Sequence, residues 1–62
     1  MKRRDLLRHL RQHGCRLVRE GGDHSIWEHP ATHRRASVPR HSEIPEFTAL
    51  RICKQLDVPV PT

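Results

Sequence analysis

The stretch Gly21-Gly22-Asp23-His24 constrains this chain more than any other. Glycines reach positive φ, which a tight turn between strands often needs, and Asp23 is a third turn-former. The six residues that follow the turn, His24 to His29, read as a strand. His24 opens that strand where the backbone leaves the turn, so it is held by a sheet and still meets solvent. Histidine is also the side chain whose ordinary pKa, about 6.5, lets it trade protons near neutral pH. Turn, strand and proton-transfer group coincide within a few residues.

Strand parity sets the direction of each side chain. His24, Ile26 and Glu28 point one way, and Ser25, Trp27 and His29 the other. Trp27 and Phe47 are the only aromatic residues of a 62-residue chain that is 34% hydrophobic. Such a chain holds one domain with a thin core, and these two rings are expected to anchor it. If Trp27 is the inward anchor, His24 lies on the opposite, open face. A two-carboxylate cleft or a cofactor-binding sheet has no room here, whereas a compact α+β domain with a surface site does.

The remaining elements follow from periodicity. Leu6, Leu7 and Leu10 fall on one face of a helix over Arg4–His13, with Arg4, Arg8 and Arg11 as a second stripe. Asp5 suits the positive end of that helix's dipole, and Gly14 is placed to end it. A first strand spans Cys15–Glu20 around Leu17 and Val18, a second His24–His29, and a third Arg35–Val38, ended by Pro39. Arg40–Ile44 is a loop. Pro45 suits the first turn of a second helix, Pro45–Leu56, in which Ala49, Ile52, Cys53 and Leu56 form the cleanest stripe in the chain. The tail Asp57–Thr62, with two prolines, is expected to fray. The order α-β-β-β-α predicts an antiparallel three-stranded meander with both helices on one face, the layout of the double-stranded-RNA-binding fold.

Charge narrows the choice of partner. Twelve basic residues face seven acidic ones, for a net charge of +5. Most of the basic residues are Arg, whose flat fork of donors grips phosphate bidentately and stacks on bases. A surface of this kind favours a nucleic acid or an acidic protein. Cys15 and Cys53 form no C-x-x-C pair and read as free thiols in a reducing cytoplasm. His29 and His33 are four apart, but Pro30 between them forbids a helix, and no metal-ligand spacing or cofactor motif is visible. Neither a signal peptide nor an apolar run long enough for a membrane is apparent.

In this order and at this length, several pieces of the chain resemble the HicA family of bacterial type II toxin–antitoxin systems. They are Lys2-Arg3-Arg4-Asp5-Leu6-Leu7, Gly22-Asp23-His24-Ser25-Ile26-Trp27, Val38-Pro39-Arg40-His41, Glu43-Ile44-Pro45 and the closing Leu50–Leu56 helix. The chain departs from the family's pattern at Phe47, where a Gly is frequent, at Ala49, where a larger apolar residue is usual, and at Arg3, which replaces a frequent Ser cap. The resemblance implies a toxin that cleaves mRNA, with the double-stranded-RNA-binding layout. It also implies a single catalytic His, here His24, and an adjacently encoded HicB-type antitoxin.

On that reading His24 is the base or acid, and Gly21, Gly22 and Asp23 position it. Arg4, Arg19, Arg40 and His41 are candidates for RNA contact, and the second acid–base group stays open between Asp23, His41 and substrate-assisted or water routes. Two other classes compete. A non-catalytic RNA-binding module would carry Lys-rich residues at the start of its last helix, where this chain has Glu43 and Glu46. An interaction domain would use its basic face for the antitoxin alone.

Overall fold

A computed structural model describes residues 1–61. The elements run α1 (Arg3–Gln12), β1 (Arg16–Glu20), β2 (His24–His29), β3 (Arg34–Pro39) and α2 (Glu46–Gln55). The three strands form one antiparallel sheet in the order β1-β2-β3, so β2 is central and is hydrogen-bonded on both edges. The α-β-β-β-α arrangement is the α+β fold that periodicity predicts.

Both helix ends are closed by the same device. After α1, Gly14 takes a φ of 88°, its N–H donates to the Arg11 carbonyl, and the Cys15 N–H donates to the Leu10 carbonyl. These two bonds make a Schellman turn, in which a left-handed residue satisfies the last helical carbonyls. After α2, Asp57 takes a φ of 57° in the same role, with Asp57 bonding back to Lys54 and Val58 to Cys53. Val58 is thereby buried, and His9 donates from Nε2 to the Pro59 carbonyl at 2.6 Å. The first part of the tail is tied down rather than frayed, because the turn feeds an apolar side chain back to the core. Thr62, the last residue of the segment expected to fray, lies outside the described residues.

The core joins Leu6, Leu7 and Leu10 of α1 to Ala49, Ile52 and Cys53 of α2, across Trp27, Ala36 and Val38 of the sheet. Trp27 is 1% exposed, its indole N–H donates to Ser25 Oγ at 3.1 Å, and Arg11 lies over its ring. The same Ser25 hydroxyl accepts from Arg3 Nη2 at 3.0 Å, while Arg3 Nε donates to the Pro39 carbonyl. Arg3, where a helix cap was missing, thus pins the start of α1 to the ends of β2 and β3. Phe47 does not anchor the core: it is 64% exposed on the outer side of α2. Its position lies off the Ala49-Ile52-Cys53 stripe, so the helix turns it outward. Cys15 and Cys53 are both free and buried, and burial pushes their thiols up.

The strand faces fall as parity requires, with two departures. Ser25 and Trp27 are buried and His24 is exposed. All five β1 residues are exposed, Leu17 and Val18 among them, because β1 is an edge strand with a bulge between Leu17 and Arg19 and lies beyond the cover of the helices. The face opposite the core is not simply open. Glu28 there is 4% exposed, clamped by its cross-strand neighbours Arg16 (2.9 Å) and Arg35 (3.2 Å). The Arg16 hydrogen bond foremost, followed by Arg35, outweighs desolvation and holds the Glu28 carboxyl below the usual range. His29, on the Trp27 face, has its Nδ1 buried without a partner, and nothing in the structure explains it.

The turn before His24 uses its glycines differently from the sequence expectation. Neither Gly21 nor Gly22 has a positive φ. Gly21 is required by crowding, because a Cβ there would stand 2.7 Å from the His24 carbonyl oxygen, to which the Gly21 N–H donates at 2.8 Å. A Cβ on Gly22 would meet nothing within 4 Å.

Two stability measurements check this account. Gly21→Ala must displace backbone and should cost about 1–3 kcal/mol, whereas Gly22→Ala should stay within about 0.5 kcal/mol of the parent. Thermal melts followed by circular dichroism decide it, and equal losses at the two positions would contradict it. Ser25→Ala leaves a buried indole N–H and a guanidinium arm unpartnered and should cost about 1–3 kcal/mol. A melting temperature unchanged by that substitution would show that the Arg3–Ser25–Trp27 knot does not hold the fold.

Candidate active site at the start of β2

His24 is the first residue of β2 and is fixed from both sides. Its carbonyl closes the Gly21 turn toward β1, and its Cα partner across β3 is Pro39. One residue further on, the Arg40 N–H donates to the Asp23 carbonyl at 3.1 Å. The Arg40 guanidinium then reaches back over the turn, from Nη1 to Glu20 Oε2 at 2.9 Å and to the Gly21 carbonyl at 3.3 Å. One arginine therefore ties together the end of β1, the turn and the exit of β3.

Three clefts meet around this point. Gly22, Asp23, His24, Arg40 and His41 line the first, of ≈ 590 Å³, a volume within the range of sites that take one small ligand. A second cleft carries His24 toward α2, where Ser37, Thr48, Arg51 and Gln55 face it. A third, lined by Lys2, Arg3, Arg4, Arg40 and Ser42, lies on the far side of Arg40. His24 is shared by the first two and Arg40 by the first and third, so basic side chains flank the imidazole in both directions.

Of the residues singled out in the sequence, Gly22, Asp23, Arg40 and His41 share the first cleft with His24, and Gly21 closes its turn. Arg4 stands in the neighbouring cleft beside Arg40. Arg19 is exposed on β1 opposite Ile26 and lines none of the three. Sequence reasoning missed Thr48, Arg51 and Gln55. They recur with Ile52 at helical spacing on one flank of α2, beside the apolar stripe that was recognised. Reading that flank for polar residues would have found them.

The local charges are not all free. Arg40 spends its charge on Glu20, and Lys2 on Glu43 at 3.1 Å, which lowers the Glu43 pKa chiefly through the Lys2 hydrogen bond. Arg4 and Arg51 have no carboxylate partner among the described residues. Among those residues no three His, Cys, Asp or Glu side chains converge as metal ligands. Among the described residues no helix is long and apolar enough to cross a membrane.

Such a site can move a proton at an exposed imidazole and hold an anion beside it. Residues 3–58 match a family model described as the HicA toxin of bacterial toxin–antitoxin. No curated protein and no solved structure gives a significant match. The family match runs from the first residue of α1 to the buried Val58 that closes the core, and it takes in the turn, His24 and the Arg40 clamp. By that match the chain belongs to the HicA toxin family of bacterial toxin–antitoxin systems.

Proposed function

We propose that this toxin is an mRNA interferase, an endoribonuclease that acts in the cytoplasm on single-stranded RNA and is held in check by a HicB-type antitoxin. The observation that carries the reading is the placement of His24. It is exposed at the start of a strand bonded on both edges, in a cleft flanked by arginines, while its neighbours Ser25 and Trp27 are buried.

RNA supplies its own nucleophile, since the 2′-hydroxyl attacks the adjacent phosphate once a base takes its proton. His24 is that proton-transfer group. The guanidiniums of Arg40 and Arg51, on either side, face the charge that grows on the phosphorane-like transition state. Arg4 extends the basic surface along the strand of RNA beyond Arg40. Proton transfer of this kind contributes about 10²–10⁴-fold, so turnover is modest. A basic toxin suits an acidic antitoxin, because complementary charge speeds encounter.

His24→Ala should leave the fold within about 0.5 kcal/mol of the parent, because the side chain is exposed, and should abolish both RNA cleavage and toxicity on expression. A folded variant that cleaves at the parental rate would remove His24 from the mechanism. RNA affinity should fall with salt at a log–log slope of roughly −0.7 per phosphate neutralised. Cleavage should persist in EDTA. A slope near zero, or activity lost on chelation, would each refute the corresponding part of the proposal.

A further inference from the structure

We propose that His41 is the general acid that completes the reaction begun by His24, so that two imidazoles act as a pair across one phosphate. The inference rests on the ribonuclease reading and adds a second reacting group to it.

The two histidines come from distant parts of the sequence and line one cleft. The loop that carries His41 is joined to the turn that carries His24, and to the end of β1 beside it, by three bonds from Arg40. These are its N–H on Asp23, and its guanidinium on Glu20 and on the Gly21 carbonyl. His41 is exposed and makes no side-chain hydrogen bond to any described residue, so no structural duty accounts for its position. Alternatives within reach are poor donors. Arginine does not release its proton, and a carboxylate accepts hydrogen bonds without donating. The hydroxyls of Ser37 and Thr48, in the second cleft, are weak acids. An imidazole both takes and gives a proton near neutral pH.

The chemistry balances without an outside reagent. The 2′-hydroxyl proton passes to an unprotonated ring nitrogen of His24 as O2′ forms its bond to phosphorus. The bond from phosphorus to O5′ breaks, and a ring N–H of His41 delivers its proton to that oxygen. The products are a 2′,3′-cyclic phosphate and a 5′-hydroxyl end, and proton exchange with water resets both rings. His24, on the rigid strand, suits the base, because in-line attack demands fixed placement. His41, on the loop, follows the departing oxygen. The charged and titratable groups facing the pair are Asp23 from the turn, Arg40 and its partner Glu20, and Arg51 from α2.

The test compares the parent, His24→Ala, His41→Ala and His41→Gln in single-turnover cleavage. One RNA oligonucleotide carries ordinary linkages, and a second has sulfur in place of the bridging 5′-oxygen. Sulfur leaves without protonation and so needs no acid. The parent should show a bell-shaped pH profile. Both His41 variants should cleave ordinary RNA about 10²–10⁴-fold more slowly, lose the alkaline limb, and regain near-parental rates on the sulfur substrate. His24→Ala should stay slow on both. Parental cleavage of ordinary RNA by a folded His41 variant overturns the pair alone. So does a defect that sulfur fails to rescue, or rescue of His24→Ala instead. A parent chain that cleaves neither RNA sinks the ribonuclease reading, and the pair with it.

Discussion

The hydroxyl of Ser25 holds the architecture together at one point. It accepts from the Trp27 indole on its own strand and from the Arg3 guanidinium on α1. A chain with two aromatic residues, one of them on the surface, depends on its single buried ring. Burying that ring would strand its N–H without a partner, and an unpaired buried donor costs far more than a hydrogen bond contributes. Ser25 resolves this two residues before Trp27, on the same face of the strand. The parity that places Ser25 and Trp27 inward leaves His24, one residue earlier, facing solvent. Core and site are thus consequences of one alternation.

How much of this was readable in the sequence depends on whether a position is governed by local or distant contacts. The bounds of β2, the helix faces and the Gly14 cap are local, and periodicity finds them. The Gly21 requirement is local too, but its cause is steric approach to a carbonyl rather than φ, which no motif reveals. Glu28 looked solvent-facing because parity alone cannot see Arg16 and Arg35 arriving from the flanking strands. Phe47 looked like core because it is aromatic, whereas its helical phase turns it away. Arg3 looked like a missing cap, and its real contacts lie 22 and 36 residues away.

The same division holds at the site. Asp23, His24, Arg40 and His41 were legible as candidates because they sit at a turn and just past a strand end. Hairpin register then brings the two ends together, with His24 opposite Pro39. Arg19 on β1, paired with Ile26, lines none of the three clefts. Arg51 belongs to α2, and only the packing of α2 against the sheet carries it to His24.

Counting arginines overstates the phosphate-binding capacity of this surface. Arg16 and Arg35 are both held by Glu28, Arg8 pairs with Asp5, Arg11 covers Trp27, and Arg3 is committed to the fold. Arg40 is the mixed case. Its ion pair with Glu20 is about half exposed, so the net attraction is small and water competes for both partners. Its backbone bond to Asp23, by contrast, keeps the loop in place whatever the side chain does. On the proposed ribonuclease reading, the guanidinium exchanges Glu20 and the Gly21 carbonyl for a phosphate, while the backbone bond from Arg40 to Asp23 still joins the loop to the turn. A fixed backbone bond beside a half-exposed, exchangeable side chain is what the ribonuclease proposal asks of Arg40: one part holds the turn that carries His24, and the other is left to meet the charge of an RNA phosphate.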